Sequence, residues 1–298
     1  MSVCGTRGTS EGEDDHEDLQ SVISNLMFAF GDGIEPLEEC QKLVMNVVRS
    51  QMIGIVKEAE KTARSRGSRK IQMVDILFQF RRHPVQLNRI FQYLKSADVL
   101  RSAKQSLLSV SDVNAESVDE MDFISQFDDG LKQDVKSTLY GKDAQAMYQA
   151  LSVFDETGEL RESLDKSVKE DDEKMERMRR LYERGAAMDR DLYQKYAKAR
   201  MCSMCTISGR RSERSIRRFL NWLGGVDVAT DTVTILSYLA SEIIYVVVEG
   251  AVFSRQSEPE RLYQNDYPAN SLQLRHYEES LRRNKGYMKN GSILVGYF

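Results

Sequence analysis

Cysteine, histidine and proline are all scarce in this chain: its 298 residues include four Cys, three His and four Pro. Cys4, Cys40, Cys202 and Cys205 follow no spacing that suggests a disulfide framework, and a reducing compartment is the simpler reading. Cys202 and Cys205 form a Cys-x-x-Cys, but a zinc site needs a second pair of ligands. The other cysteines are distant, and so are His16, His83 and His276. A redox dithiol wants a strand-to-helix context that is not found there. The few prolines agree with long, uninterrupted helices. Glycine-rich phosphate loops, nucleophile elbows and acid pairs beside a histidine are all missing, so the chain is expected to be no enzyme. It offers no catalytic residues, no metal ligands, no cofactor site and no small-molecule site.

The opening residues also lack the basic-then-apolar order of a secretory signal. Instead they carry Glu11, Glu13, Asp14, Asp15, Glu17 and Asp18, and residues 1–18 read as an acidic disordered tail. A formal net charge of −4 argues against a generic polyanion binder. One long apolar run exists, Val233 to Phe253, with Glu242 at its centre and Glu249 near its end. Each carboxylate would cost about 3 kcal/mol at mid-bilayer, so this run reads as a helix buried in protein and not as a membrane span.

What the sequence does contain is helical periodicity. Leu19, Val22, Ile23, Leu26, Met27 and Phe30 recur at three- and four-residue spacing. Gly31-Asp32-Gly33 ends that helix and Pro36 permits a new one. Leu37, Cys40, Val44, Val47, Gln51, Ile55 and Ala59 then mark a helix of about 45 Å that Gly67 terminates. A short connector leads to a third helix carrying Val74, Ile76, Leu77 and Phe80. Pro84 forces a break, and Leu87, Ile90, Phe91 and Leu94 supply one more amphipathic helix.

The pattern returns about 200 residues later. Ile216, Phe219, Leu220 and Leu223 form a short helix ended by Gly224-Gly225. A long helix from about Thr230 to Arg255 is apolar nearly all round, which demands neighbours on more than one side. Leu272, Leu274, Tyr277 and Leu281 begin a third helix that ends in Arg282-Arg283. Between the two modules the apolar residues are scattered, as at Met121, Phe123, Ile124 and Phe127. Asp155 to Glu176 holds ten acids and four bases, and Arg177 to Arg200 holds eight bases and three acids. That stretch reads as a solvated, partly helical linker without a comparable core.

Short, long, short is the helix order of a histone fold, a motif that cannot bury its apolar face alone. The predicted fold class is therefore all-α: two histone folds in one chain forming an intramolecular histone-like pair, joined by a charged, partly helical linker. The expected boundaries are a tail at 1–18, a first fold at 19–104, a linker at 105–205 and a second fold at 206–298. Tethering gives an effective concentration of order millimolar, so the pair forms without competing for free partners. Basic clusters at Arg64, Arg66, Arg69 and Lys70, and at Arg210, Arg211 and Arg214, could touch DNA phosphates. The negative net charge and the lack of interleaved aromatics point instead to weak or no direct DNA contact.

The residues themselves resemble a known family. Met27-Phe28-Ala29-Phe30-Gly31-Asp32, Ala63-Arg64-Ser65-Arg66-Gly67-Ser68-Arg69 and Val74-Asp75-Ile76-Leu77-Phe78-Gln79-Phe80-Arg81 look like the histone fold of the thirteenth TATA-binding-protein-associated factor of TFIID. Phe219-Leu220-Asn221-Trp222-Leu223, Tyr238-Leu239-Ala240-Ser241-Glu242 and the stretch Leu272 to Arg283 look like its partner, the eleventh. Both in one chain resembles the SAGA coactivator subunits of the suppressor-of-Ty three family. Met188 to Tyr196 resembles the basic lead-in to that family's second fold.

The resemblance implies a nuclear, non-enzymatic SAGA subunit that holds TATA-binding protein, sits beside other histone-fold subunits and serves RNA polymerase II transcription. Glu242 and Glu249, two turns apart on the apolar long helix, are the expected contact for that basic partner. Alternatively, both acids pair internally with arginines such as Arg217, Arg218 or Arg282. The family also implies a histone-type clasp between a loop arginine and a third-helix aspartate. Asp75 sits at the aspartate position and Ser68 falls where the arginine would, so Arg69 is expected to serve with a shifted register. In the second module His276 takes the aspartate position, where it is expected to be structural and not a base. Two rival readings remain: a histone-fold DNA-binding protein, and a TFIID-type scaffold subunit, whose folds are normally split between two chains.

Overall fold

The structure is a computed structural model that describes residues 10–110, 141–164, 171–207, 210–259, 271–289 and 291–295. The described chain is helical apart from a two-residue antiparallel pair, Thr206–Ile207 with Arg210–Arg211, and one isolated bridge. It divides into two compact units. Unit 1 combines residues up to Ile53 with Cys202–Val226 and Leu236–Tyr297. Unit 2 combines Gly54–Met201 with Asp227–Ile235. Each long helix contributes residues to both.

Unit 1 begins with α1 (Ser10–Phe30). The helix starts well before Leu19, so from Ser10 onward the chain departs from the expected tail; residues 1–9 lie outside the described residues. Leu19, Val22, Ile23, Leu26 and Met27 are buried, as their spacing requires. Gly31 closes the helix with φ 143°, in the region that glycine tolerates, and its N–H donates to the Met27 carbonyl at 3.1 Å. Helix α2 (Glu38–Ser65) follows, with Glu38 and Glu39 in its first turn and a fully buried line of Cys40, Val44, Val48 and Met52 in this unit.

Unit 2 takes up α2 at Gly54. It adds α3 (Met73–Leu77), continued by a 3-10 turn Phe78–Phe80, and α4 (Pro84–Val110), which opens on the proline where no N–H is lost. Leu87, Ile90, Phe91 and Leu94 of α4 are fully buried, as the periodicity predicts. The intervening region differs from expectation. Helix α5 (Lys142–Leu151) packs on α3 and α4, and α6 (Glu159–Leu164) packs on α4 and α5, burying Ala144, Met147, Leu151 and Leu164. Phe154 meets Phe78 edge-on at 5.5 Å.

Polar contacts fix this layer. Asp98 of α4, 5% exposed, accepts the N–H groups of Asp143 and Ala144 at 3.0 Å and so caps α5 from across the fold. A side chain at Gly141 would collide with Asp98. Arg89 grips Asp171 with two bonds of 2.6 and 2.7 Å and reaches Glu173 at 2.8 Å. The guanidinium holds the Asp171 carboxyl below the usual aspartate range, against the opposing effect of its burial. Beyond it, α7 (Asp172–Ala186) and α8 (Arg190–Arg200) form a hairpin. Met121, Phe123, Ile124 and Phe127 lie outside the described residues.

The later elements belong mainly to unit 1. Ser212 caps α9 (Glu213–Trp222) through the Ser215 N–H at 3.1 Å. Gly224 and Gly225, both at positive φ, end it. Helix α10 (Thr230–Gln256) has mean hydropathy 1.7 over its most apolar window and is long enough to cross a membrane. Two thirds of that window is buried within the protein, with Ile235, Leu236, Ala240, Ile243, Ile244, Val248 and Ala251 fully enclosed. Helices α11 (Leu274–Arg283) and α12 (Lys285–Met288) follow. The closing segment is pinned by Gln51, whose amide donates to Gly291 O at 3.2 Å and accepts from Ile293 N at 2.9 Å.

Candidate interaction site

The chemistry of this chain lies in the loops flanking the two long helices. In unit 1 the loop after α1 carries Asp32, which is 1% exposed. Its carboxylate accepts the N–H of Gly33 and of Leu272, each at 2.7 Å, and the Tyr277 hydroxyl at 2.6 Å. Nearby, Ser271 Oγ donates to Glu35 O at 3.0 Å and the Cys40 thiol donates to Leu272 O at 3.6 Å. Burial, with Asp32 adding, pushes the Cys40 thiol up to about 12, so this cysteine is an inert core residue. One short turn thus anchors the loop before α11 and the first turns of α11. Sequence reasoning read Asp32 only as part of a helix stop.

In unit 2 the loop after α2 pairs with the loop before α10. Ile71 and Val228 form a parallel bridge in which Ile71 N donates to Asp227 O and Ala229 N donates to Ile71 O, both at 2.9 Å.

The third-helix clasp exists, but with a different arginine. Asp75, fully buried, accepts Arg66 Nε at 3.1 Å and Nη2 at 2.7 Å in a bidentate pair. Arg69 does not take this role and lies exposed. The reason is local: Gly67, at φ 74°, turns the chain directly after Arg66, leaving that side chain beside the start of α3. Of the four residues proposed for phosphate contact, Arg66 is therefore committed to Asp75. Arg64 pairs with Glu60 at 3.2 Å, while Arg69 and Lys70 are exposed.

The second module carries an analogous arrangement of opposite polarity. His276 stands at the third position of α11, as Asp75 does in α3, and each accepts the backbone N–H of the residue before its helix. Gln273 N donates to His276 Nδ1 at 2.9 Å, so the proton of the neutral imidazole sits on Nε2. That nitrogen is 3.1 Å from Glu258 Oε2. Glu258 is also held by Arg275 at 3.0 and 3.1 Å, and Arg275 first, then His276, keep its carboxyl below the usual range. His276 is fully buried, in line with a structural role.

Glu242 and Glu249 fare differently from one another. Glu242 is 6% exposed and inside the core, so it is not an open contact surface. Glu249 is half-buried and accepts the hydroxyl of Tyr245, whose ring meets Phe30 edge-on at 5.4 Å. The apolar stripe correctly marked a buried helix; periodicity alone could not tell which of its two acids stays within reach of solvent.

Cys202 is half-buried and Cys205 buried, and burial raises the Cys202 thiol. Among the described residues no group of three or more His, Cys, Asp and Glu side chains is arranged to hold a metal ion.

Residues 17–107 match the family model described as transcription initiation factor IID, 18 kD subunit. The chain is 28% identical over 244 residues to the SAGA complex subunit Spt3 of Schizosaccharomyces pombe, covering 77% of this chain and 71% of that protein. It is 26% identical over 269 residues to the SAGA complex subunit SPT3 of Saccharomyces cerevisiae, covering 84% and 77%. Transcription initiation factor TFIID subunit 13 of the same yeast matches at 23% over 93 residues, 31% of this chain and 56% of that one. The chain thus carries a histone fold of the TFIID 18 kD type at residues 17–107 and is a homologue, over most of its length, of the Spt3 subunits of SAGA.

Proposed function

We propose that this chain is a nuclear, non-enzymatic subunit of a SAGA-type transcription coactivator. Two histone folds, residues 19–104 and 206–298, pair within it, and residues 105–205 join them. In this reading the chain binds TATA-binding protein, helps deliver it to promoters for RNA polymerase II and sits beside other histone-fold subunits. The observation that carries the proposal is the similarity to proteins named as SAGA subunits over more than three quarters of the chain. A single TFIID-type fold would align with only about a third of it, as the TFIID subunit does.

Internal pairing draws support from the loops. Asp32, from the loop after α1, is bonded to Leu272 and Tyr277 of the second module. Ile71, from the loop after α2, is bridged to Val228 at the corresponding loop of the second module. A chain whose folds satisfy each other is free to use its outer surfaces for recruitment. Of the two acids on α10, Glu249 is the one a basic partner could reach.

The test is capture of purified TATA-binding protein by the full chain, with and without competing TATA DNA. Capture that Glu249→Lys weakens, with the melting curve unchanged, supports the reading. No capture, together with DNA binding that falls steeply with salt, would favour the histone-fold DNA-binding alternative, with Arg69 and Lys70 as the exposed contacts.

A further inference from the structure

The α7–α8 hairpin has little core. Only Gly185, Tyr196 and Ala199 are buried along it. Its inner face closes on Tyr196, whose hydroxyl donates to Leu181 O at 3.3 Å and whose ring lies under Arg200 at 5.4 Å. Gly185 lets both Tyr193 and Tyr196 approach. Asp189 caps α8 by accepting the Leu192 N–H at 2.8 Å, and the Asp171–Arg89 pair fixes the hairpin's foot to α4. The hairpin is therefore a preorganised arm whose outer face takes no part in holding it together.

That outer face is not composed like a solvated one. Met175, Arg179 and Tyr182 stand at i, i+4 and i+7 on α7, one above the other, and Tyr182 is 77% exposed. Solvated helix faces are mostly Lys and Glu, whereas Tyr, Met and Arg are the types that protein interfaces concentrate, with Tyr and Arg the commonest anchors. Among the described residues Arg179 pairs with Glu176 and Glu183 of its own helix, in exposed pairs that exchange readily for a partner's carboxylates. Over the whole hairpin, Asp172 to Arg200, nine bases stand against six acids, and Arg190 and Lys195 are exposed on α8, so the net charge favours an acidic partner.

We propose that the α7 row Met175–Arg179–Tyr182 is a docking surface for a carboxylate-rich, partly apolar segment of another subunit of the assembly. The proposal rests on the subunit reading above. Tyr182 and Met175 supply apolar anchors, Arg179 takes a carboxylate in bidentate fashion, and the basic α8 steers the approach.

The test replaces Tyr182 with the photo-cross-linker p-benzoylphenylalanine in the full chain, within the assembly purified through a different subunit. The expected product is a cross-link to another protein at a segment with more Asp and Glu than Lys and Arg. The Met175→Glu/Tyr182→Glu chain should lose at least ten-fold of that subunit's association while melting as the parent does. Should the pair of glutamates disturb folding, Tyr182→Ala serves as the milder variant. Assembly without a cross-link, or cross-links confined to this chain, to a basic segment or to nucleic acid, would overturn the docking surface alone. Failure of the chain to enter any assembly would overturn the subunit reading and this proposal with it.

Discussion

Replacing Asp32 tests the linkage between the two modules directly. The carboxylate is 1% exposed and receives two donors from the second module, Leu272 N at 2.7 Å and the Tyr277 hydroxyl at 2.6 Å, besides the local Gly33 N–H. Asn has the same shape but only one acceptor oxygen, so one of these donors must face an amide NH2. A hydrogen bond to a charged group contributes about 1.5–3 kcal/mol, and an orphaned buried donor costs about 1–3 kcal/mol. Asp32→Asn should therefore destabilise by about 2–4 kcal/mol, a fall in Tm of roughly 3–6 °C for a chain of this size. Tyr277→Phe, which removes one donor and leaves the carboxylate its other partners, should cost about 1–2 kcal/mol. Because the two side chains share a bond, the double variant should be less destabilised than the sum by at least about 1 kcal/mol.

The chain has a single tryptophan, Trp222, in α9 of the same unit, and its backbone carbonyl accepts Arg49 Nε at 3.0 Å. Urea unfolding followed by its fluorescence thus reports on the part of the molecule that holds Asp32. Equal midpoints for Asp32→Asn and the parent, or strict additivity in the cycle, would refute the idea that this carboxylate ties the modules together.

Arg66→Ala leaves the fully buried Asp75 without its guanidinium and should cost about 2–4 kcal/mol by urea titration, whereas Arg69→Ala should stay within about 0.5 kcal/mol. Asp171 has its folded-state pKa depressed, first by Arg89, so its contribution is complete above the ordinary aspartate value and is lost as the pH falls through the folded value. Amide hydrogen exchange should therefore show the first turns of α7 opening in acid, an effect reduced in Arg89→Gln, where Asp171 keeps only the Lys174 N–H and charge to favour its ionised form. Glu242→Lys would put an ammonium group into the core of α10 and should cost about 3 kcal/mol or more in a thermal melt, while Glu249→Lys should fold normally; the opposite order would mean that the burial of these acids is misassigned.

Helix order and most helix ends were legible because they follow from local rules. Apolar spacing marked the buried faces of α1, α2 and α10, and Gly31, Gly67, Gly224 and Gly225 marked where chains must turn. Contacts set by tertiary structure were not legible. Helix α5 buries only a few apolar residues and gains its cap from Asp98, more than forty residues earlier, so no local pattern announces it. Choosing Arg66 over Arg69 required knowing which of the two side chains the turn leaves beside Asp75, nine residues on from Arg66. The burial of Glu242 depends on what covers its helix, and a period of 3.6 residues is silent about that.

The two third helices illustrate how one mechanical task can be met with opposite charges. In each, the third residue accepts the N–H of the preceding cap and also faces a residue just past the end of a long helix. Asp75 presents only acceptors there, so the residue past α2 must be a donor, and Arg66 fits with two bonds. His276 has spent its acceptor on Gln273 N, and its Nε2 lies 3.1 Å from a carboxylate oxygen of Glu258, the residue that stands just past α10. Glu258 fills that place and is oriented by Arg275. Within either module the two positions are therefore chemically coupled. Asp75→His alone would set an imidazole N–H against the Arg66 guanidinium, and only with Arg66→Glu would the geometry of the second module be reproduced in the first.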